Sequence, residues 1–82
     1  MTEQDFLAWL AGAVPGATIE YHQGFLARDR SVYDRDPEKR NRLSTLASRA
    51  MIEADRGRVH LVQSRIGADR WSYLAIAAGR VA

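Results

Sequence analysis

The 82-residue chain contains no cysteine. That excludes a disulfide framework, a thiolate nucleophile and any zinc site built on cysteine, and it fits a reducing compartment. Long apolar runs are missing as well. Nothing approaches the roughly 20 apolar residues that a transmembrane helix requires, and the opening Met1-Thr2-Glu3-Gln4-Asp5 is acidic where a secretion signal is basic. These features predict a cytoplasmic protein with no membrane partner. Histidine is scarce, with only His22 and His60. Neither has a second histidine at metal-binding spacing, so no metal site or cofactor is expected. Glu20 and His22 share a predicted strand face and are the only residues resembling an acid–base pair. The serines lack a nucleophile-elbow context. Gly12 and Gly16 sit at a helix end rather than in a phosphate-binding loop. No small-molecule substrate is indicated, and the expectation is that the chain is not an enzyme.

The length allows one domain, residues 1–82, with a thin core. Its hydrophobic content of 46% and charged content of 27% are those of a folded chain. The net charge of +2 hides an uneven distribution. Residues 1–38 sum to −4, residues 39–70 sum to +5, and Arg80 completes the balance. A basic half of this kind can mark a nucleic-acid face or a solvated surface of mixed ion pairs. All the basic residues but Lys39 are arginine, which favours planar contact with phosphate or carboxylate.

Along the chain, Thr2 caps a first helix with Asp5 completing a capping box. Phe6, Leu7, Leu10 and Val14 form its apolar stripe, and Pro15-Gly16 stops it. Ala17 to Ala27 reads as a strand, with Ile19, Tyr21 and Phe25 on one face and Glu20, His22 and Leu26 on the other. Gly24 suggests a bulge or a close backbone contact. Arg28 to Asp36 is a charged connection, either a short helical turn anchored by Val32 or Tyr33 or a mobile loop. Asp36-Pro37 starts a long helix that runs to about Asp55, with Gly57 as its stop. Its apolar stripe is Leu43, Leu46, Ala47, Ala50, Met51 and Ala54. Lys39 and Arg40 fall near that stripe, so the first turn must overhang the core. Arg42, Arg49 and Arg56, seven apart, make a basic line on the other side, where Glu53 can neutralise Arg49.

Gly57 to Arg80 reads as a β-hairpin with its turn at Gly67-Ala68-Asp69-Arg70. Pairing Ile66 with Trp71, Ser64 with Tyr73 and Val62 with Ala75 puts Val59, Leu61, Leu74 and Ile76 on the core face. It puts Val62, Ile66, Trp71 and Tyr73 on the other. The base is then ordinary sheet, and the tip projects with two aromatics and two arginines.

The fold class expected is α+β, two main helices on a small antiparallel sheet in the order helix, strand, short helix or loop, helix, hairpin. The run Leu46-Ala47-x-x-Ala50 … Gly57-x-Val59-x-Leu61 … Ile66 … Trp71-x-Tyr73-x-Ala75-Ile76 resembles a winged-helix domain. In style the chain is also similar to small prophage-type bacterial proteins. The resemblance implies a nucleic-acid-binding or regulatory module whose long helix approaches the major groove of double-stranded DNA. Lys39, Arg40, Arg42, Thr45 and Arg49 are the helix residues that would carry this role, and Arg65 and Arg70 would meet phosphate from the wing. The alternative is a protein-interaction or assembly module, homodimeric, using Ile52, Ile66, Trp71 and Tyr73.

Overall fold

The computed structural model describes residues 1–29 and 36–79. The expected anchors Val32 and Tyr33, and Arg80, lie outside the described residues. Six elements follow in chain order: α1 (Glu3–Gly12), β1 (Thr18–Gly24), α2 (Leu26–Asp29), α3 (Pro37–Asp55), β2 (Val59–Gly67) and β3 (Arg70–Ala77). The fold class is the expected α+β. The three strands form one antiparallel sheet in the order β1-β3-β2, so the last strand is central. Among the described residues, no helix is long and apolar enough to cross a membrane.

Both long helices start as their cap residues dictate. Thr2 Oγ1 accepts the Asp5 N–H at 3.1 Å while Asp5 Oδ2 accepts the Thr2 N–H at 3.0 Å, closing the reciprocal box that satisfies two orphan donors. Asp36 Oδ1 accepts the N–H groups of Glu38 and Lys39 at 3.1 and 3.2 Å, and Pro37 occupies the first turn. At the far end of α3, Gly57 adopts φ +76°, and its N–H bonds the Ala54 carbonyl at 2.9 Å. A residue without Cβ takes that conformation at no steric cost.

The helix α1 ends earlier than its apolar stripe suggests. Ala13 is already extended, and Val14, which precedes a proline and is disfavoured from helix by it, points to solvent. The first strand is also shorter than expected. It closes at Gly24, Phe25 is exposed, and Leu26 opens α2 instead of continuing the strand.

Phe6, Leu10, Tyr21, Leu46, Ala50, Val59, Tyr73 and Ala75 make the core. An aromatic chain runs through it, with ring centroids 6.4 Å apart from Phe6 to Tyr21 and 6.3 Å apart from Tyr21 to Tyr73. In α3 every buried residue lies between Leu46 and Glu53. Met51, expected on the apolar stripe, is exposed, and Glu53 is buried in its place. The helical angle explains the exchange. At about 100° per residue, Glu53 falls about 60° from Ala50 and about 20° from Leu46, whereas Met51 is turned about 100° and 140° from the same two residues.

Two bulges set the faces of the sheet. In β1 the register steps between Glu20 and His22, so Tyr21 and His22 both serve the helix-bearing side and His22 no longer shares a face with Glu20. In the hairpin, Gly67 pairs with Arg70 as the turn requires, but the register then steps at Ile66. Arg65 pairs with Trp71, Ser64 with Ser72, Gln63 with Tyr73 and Leu61 with Ala75. The expected pairing is therefore one residue off along most of the hairpin, and a one-residue slip exchanges the faces of a strand. Trp71, Tyr73, Ala75 and Ala77 face the helices, and Ser72, Leu74 and Ile76 face away.

Candidate functional site

The first turns of α3 carry the basic residues that the sequence singles out. No residue of α3 before Leu46 is buried, so this half of the helix overhangs the core. Lys39, Arg42 and Thr45 are exposed and Arg40 is half-buried. Arg42 reaches Glu38 only at 4.0 Å, across a pair with both side chains well exposed. Such a contact contributes little and leaves the guanidinium available. The ammonium of Lys39 has no acidic partner among the described residues.

Arg49 does not belong to this surface. Its Nε donates to Glu3 Oε2 at 3.0 Å, and its Nη1 lies 3.7 Å from Glu53 Oε1. Glu53 is 1% exposed and also accepts from Arg56 Nη1 at 3.2 Å and Arg58 Nη1 at 2.8 Å. The basic line Arg42–Arg49–Arg56 is thus divided. Arg42 is available, while Arg49 and Arg56 serve a buried carboxylate at the turn from α3 into β2. A charge that cannot be hydrated must be met by charges and hydrogen bonds, and these arginines do so.

The two wing arginines separate as well. Arg65 lies on the helix-bearing side of the sheet by strand alternation, with Nε donating to the Gly67 carbonyl at 3.2 Å. Arg70 lies on the opposite side, where Nη2 donates to Gln23 Oε1 at 3.4 Å. Gln23 in turn donates to Glu20 Oε1 at 2.9 Å, and the Ser72 hydroxyl donates to Glu20 Oε2. Arg70 is therefore tied into a polar network on the open face of the sheet.

Of the alternative interface residues, Ile52 and Ile66 are 40% and 50% exposed, as an interface needs. Tyr73 is buried, and Trp71 is half-buried against the core. The register step at Ile66 turns both aromatics to the helix-bearing side of the sheet. The Tyr73 hydroxyl accepts the Leu26 N–H at 2.9 Å, which satisfies its polar end inside the fold.

A feature the sequence reading missed lies beside the basic turns. A cleft of about 440 Å³ opens between α3 and the end of β1. Lys39, Arg42, Leu43 and Leu46 line its helix side, and Tyr21 and His22 line its strand side. His22 Nε2 sits 2.7 Å from Asp29 Oδ2, and the same oxygen accepts the Phe25 N–H at 3.0 Å. The His22 ring also packs against Tyr73, with centroids 5.8 Å apart. Gly24 makes this possible. It adopts φ +134°, and a Cβ there would collide with the Asp29 carboxylate. The one signal in the sequence was Gly24 itself, read as a place of close approach. The seven-residue gap from His22 to Asp29 is no recognisable spacing. Among the described residues, no three histidine, aspartate or glutamate side chains come together as a metal site. No family model, curated protein or solved structure matches the chain.

Proposed function

We propose that the domain is a winged-helix-like, nucleic-acid-binding module that lays the overhanging half of α3 against double-stranded DNA. The observation that carries this reading is the division of α3. Residues from Leu46 onward hold the core, while the preceding turns have no fully buried residue and present Lys39, Arg42 and Thr45 to solvent. A helix end freed from packing and supplied with available cations suits a groove lined by phosphates. Arg65, on the same side of the sheet, adds a phosphate contact from the hairpin. Arg49 drops out of the contact set because it bridges Glu3 and Glu53, and Arg70 because it lies on the opposite side of the sheet from Arg65. The element order from α1 to the hairpin supports the winged-helix comparison.

The test is fluorescence anisotropy with a random-sequence duplex across a salt series. With Lys39, Arg42 and Arg65 as the contacting cations, the slope of log affinity against log salt should be roughly −2.7. Affinity should then fall roughly forty-fold between 50 and 200 mM salt. Lys39→Gln should reduce the slope by about one, and Arg70→Gln should leave it unchanged. Absence of binding at low salt overturns the reading.

The assembly alternative keeps one specific support. Val62, Ile66, Leu74 and Ile76 lie on the sheet face that the helices leave open. Sedimentation at increasing concentration tests it, with Val62→Ser as the variant expected to weaken any dimer.

A further inference from the structure

The cleft beside the overhanging turns has a composition of its own. At about 440 Å³ it is the size of sites that enclose small organic molecules, which typically span about 300–1,000 Å³. Its charged lining is unbalanced. Lys39 and Arg42 stand one helical turn apart on the same wall. Asp29, the one acid among the described lining residues, is already held by His22 and by the Phe25 N–H, and Glu38 reaches Arg42 only at 4.0 Å from an exposed position. The remainder of the lining combines the polar Gln23 with the apolar or aromatic Met1, Tyr21, Leu43 and Leu46. A ligand suited to these walls carries concentrated negative charge at one end and an apolar or aromatic body at the other.

We propose that this cleft binds a small aromatic phosphate monoester, its phosphate between Lys39 and Arg42 and its ring against Tyr21, Leu43 and Leu46. A phosphate carries about −1.5 to −2 charge and three strong acceptor oxygens, which matches two neighbouring cations better than a carboxylate does. Arg42 supplies a planar fork of donors and Lys39 a mobile point charge. His22, held by Asp29, fixes the strand wall against which the ring packs. The proposal goes beyond the nucleic-acid reading and stands without it. Where both hold, the two ligands compete, because each uses Lys39 and Arg42.

The experiment is an amide-NMR titration of the labelled protein with phenyl phosphate, with inorganic phosphate, and with sodium chloride at matched ionic strength. Saturable shifts at Tyr21, His22 and Leu43 are expected with phenyl phosphate, at least about fivefold tighter than with inorganic phosphate. The double variant Lys39→Gln/Arg42→Gln should weaken binding about tenfold or more, equivalent to about 1.4 kcal/mol. Both side chains are exposed, so the variant should fold, and its melting curve checks this. Arg65→Gln should leave these shifts unchanged while weakening DNA binding, which separates this proposal from the nucleic-acid one. Shifts that merely follow ionic strength, equal affinity for inorganic phosphate, or an undiminished response in the double variant overturn it.

Discussion

Glu53→Gln is the substitution whose cost follows most directly from the structure. The carboxylate is 1% exposed and accepts from Arg58 at 2.8 Å and Arg56 at 3.2 Å, with Arg49 at 3.7 Å. Glutamine keeps the volume and one acceptor oxygen but turns an NH2 group toward a guanidinium, donor against donor. Removing one partner of a buried ion pair typically costs about 3–5 kcal/mol. Here the arginine side chains of positions 58 and 56 are 51% and 60% exposed, so they recover hydration, and the cost settles at about 2–3 kcal/mol. A domain of this length has a total stability of about 4–12 kcal/mol, so the loss is a large share of it. At about 4–8 °C per kcal/mol, the melting temperature should fall by about 10–20 °C in a circular-dichroism melt at neutral pH. Glu53→Leu should be no worse than Glu53→Gln, because an apolar side chain removes the demand for a buried partner and releases the arginines to water. A Glu53→Gln protein that melts within about 3 °C of the parent would refute the view that this carboxylate organises the turn from α3 into β2.

The bulge at Ile66 predicts an asymmetry between two neighbouring side chains. Tyr73→Ser should cost about 3–5 kcal/mol, and Ile66→Ser should stay within about 0.5 kcal/mol; denaturant melts that reverse this order would restore the one-residue-shifted register. Gly24→Ala should destabilise by about 1–3 kcal/mol through its positive φ and separate His22 from Asp29, seen as a displaced His22 ring resonance; an unmoved resonance means that the carboxylate has room to spare. Hydrogen bonds from the Thr2 backbone and hydroxyl hold the Asp5 carboxyl below the usual carboxylate range. A carboxyl lowered in the folded state contributes stability above its unfolded value, and that stability is lost as pH falls through the folded one. Below about pH 4, then, the parent should lose stability faster than Asp5→Asn, and parallel acid melts would count against the capping box.

The elements that local chemistry specifies were legible in the sequence. Thr2 with Asp5, Asp36 with Pro37, and Gly57 each act within a few residues of themselves, and the helices begin and end where they say. The bulges were not legible. Ile66 carries no glycine, proline or other mark of an extra residue. The hairpin turn alone fixes a register that is correct at Gly67–Arg70 and wrong beyond it. Tyr73 and Trp71 face the core because that side of β3 meets Phe6, Tyr21 and Leu46, a long-range preference that a local pairing rule does not contain. The cleft was missed for the same reason, since its walls come from β1 and α3 and meet only through tertiary packing. Glu53 differs. Its helical angle lay in the sequence, and its burial could have been anticipated had geometry been weighed above polarity.

Charge shows most clearly how structure refines composition. Eight cations between residues 39 and 70 suggest one basic surface, but they fall into sets with different work. Arg49, Arg56 and Arg58 surround a carboxylate buried to 1% exposure. Their charge is largely answered inside the fold, and its removal should register in stability rather than in binding. Arg70 braces Gln23 on the open sheet face. Arg40 is half-buried in the first turns of α3. Lys39, Arg42 and, at the hairpin, Arg65 have no buried acidic partner among the described residues, and Lys39 and Arg42 lie where α3 has stopped contributing to the core. Salt dependence separates the two groups. Screening weakens contacts between exposed charges far more than those of a buried pair, so salt should move ligand affinity through Lys39 and Arg42 while leaving the Glu53 cluster nearly unchanged. The division follows from helix geometry. An α3 of 19 residues is about 28 Å long at 1.5 Å per residue, and its buried positions, Leu46 to Glu53, span only about 11 Å of that length. The helix is longer than its core requires, and the excess length is where the available cations stand.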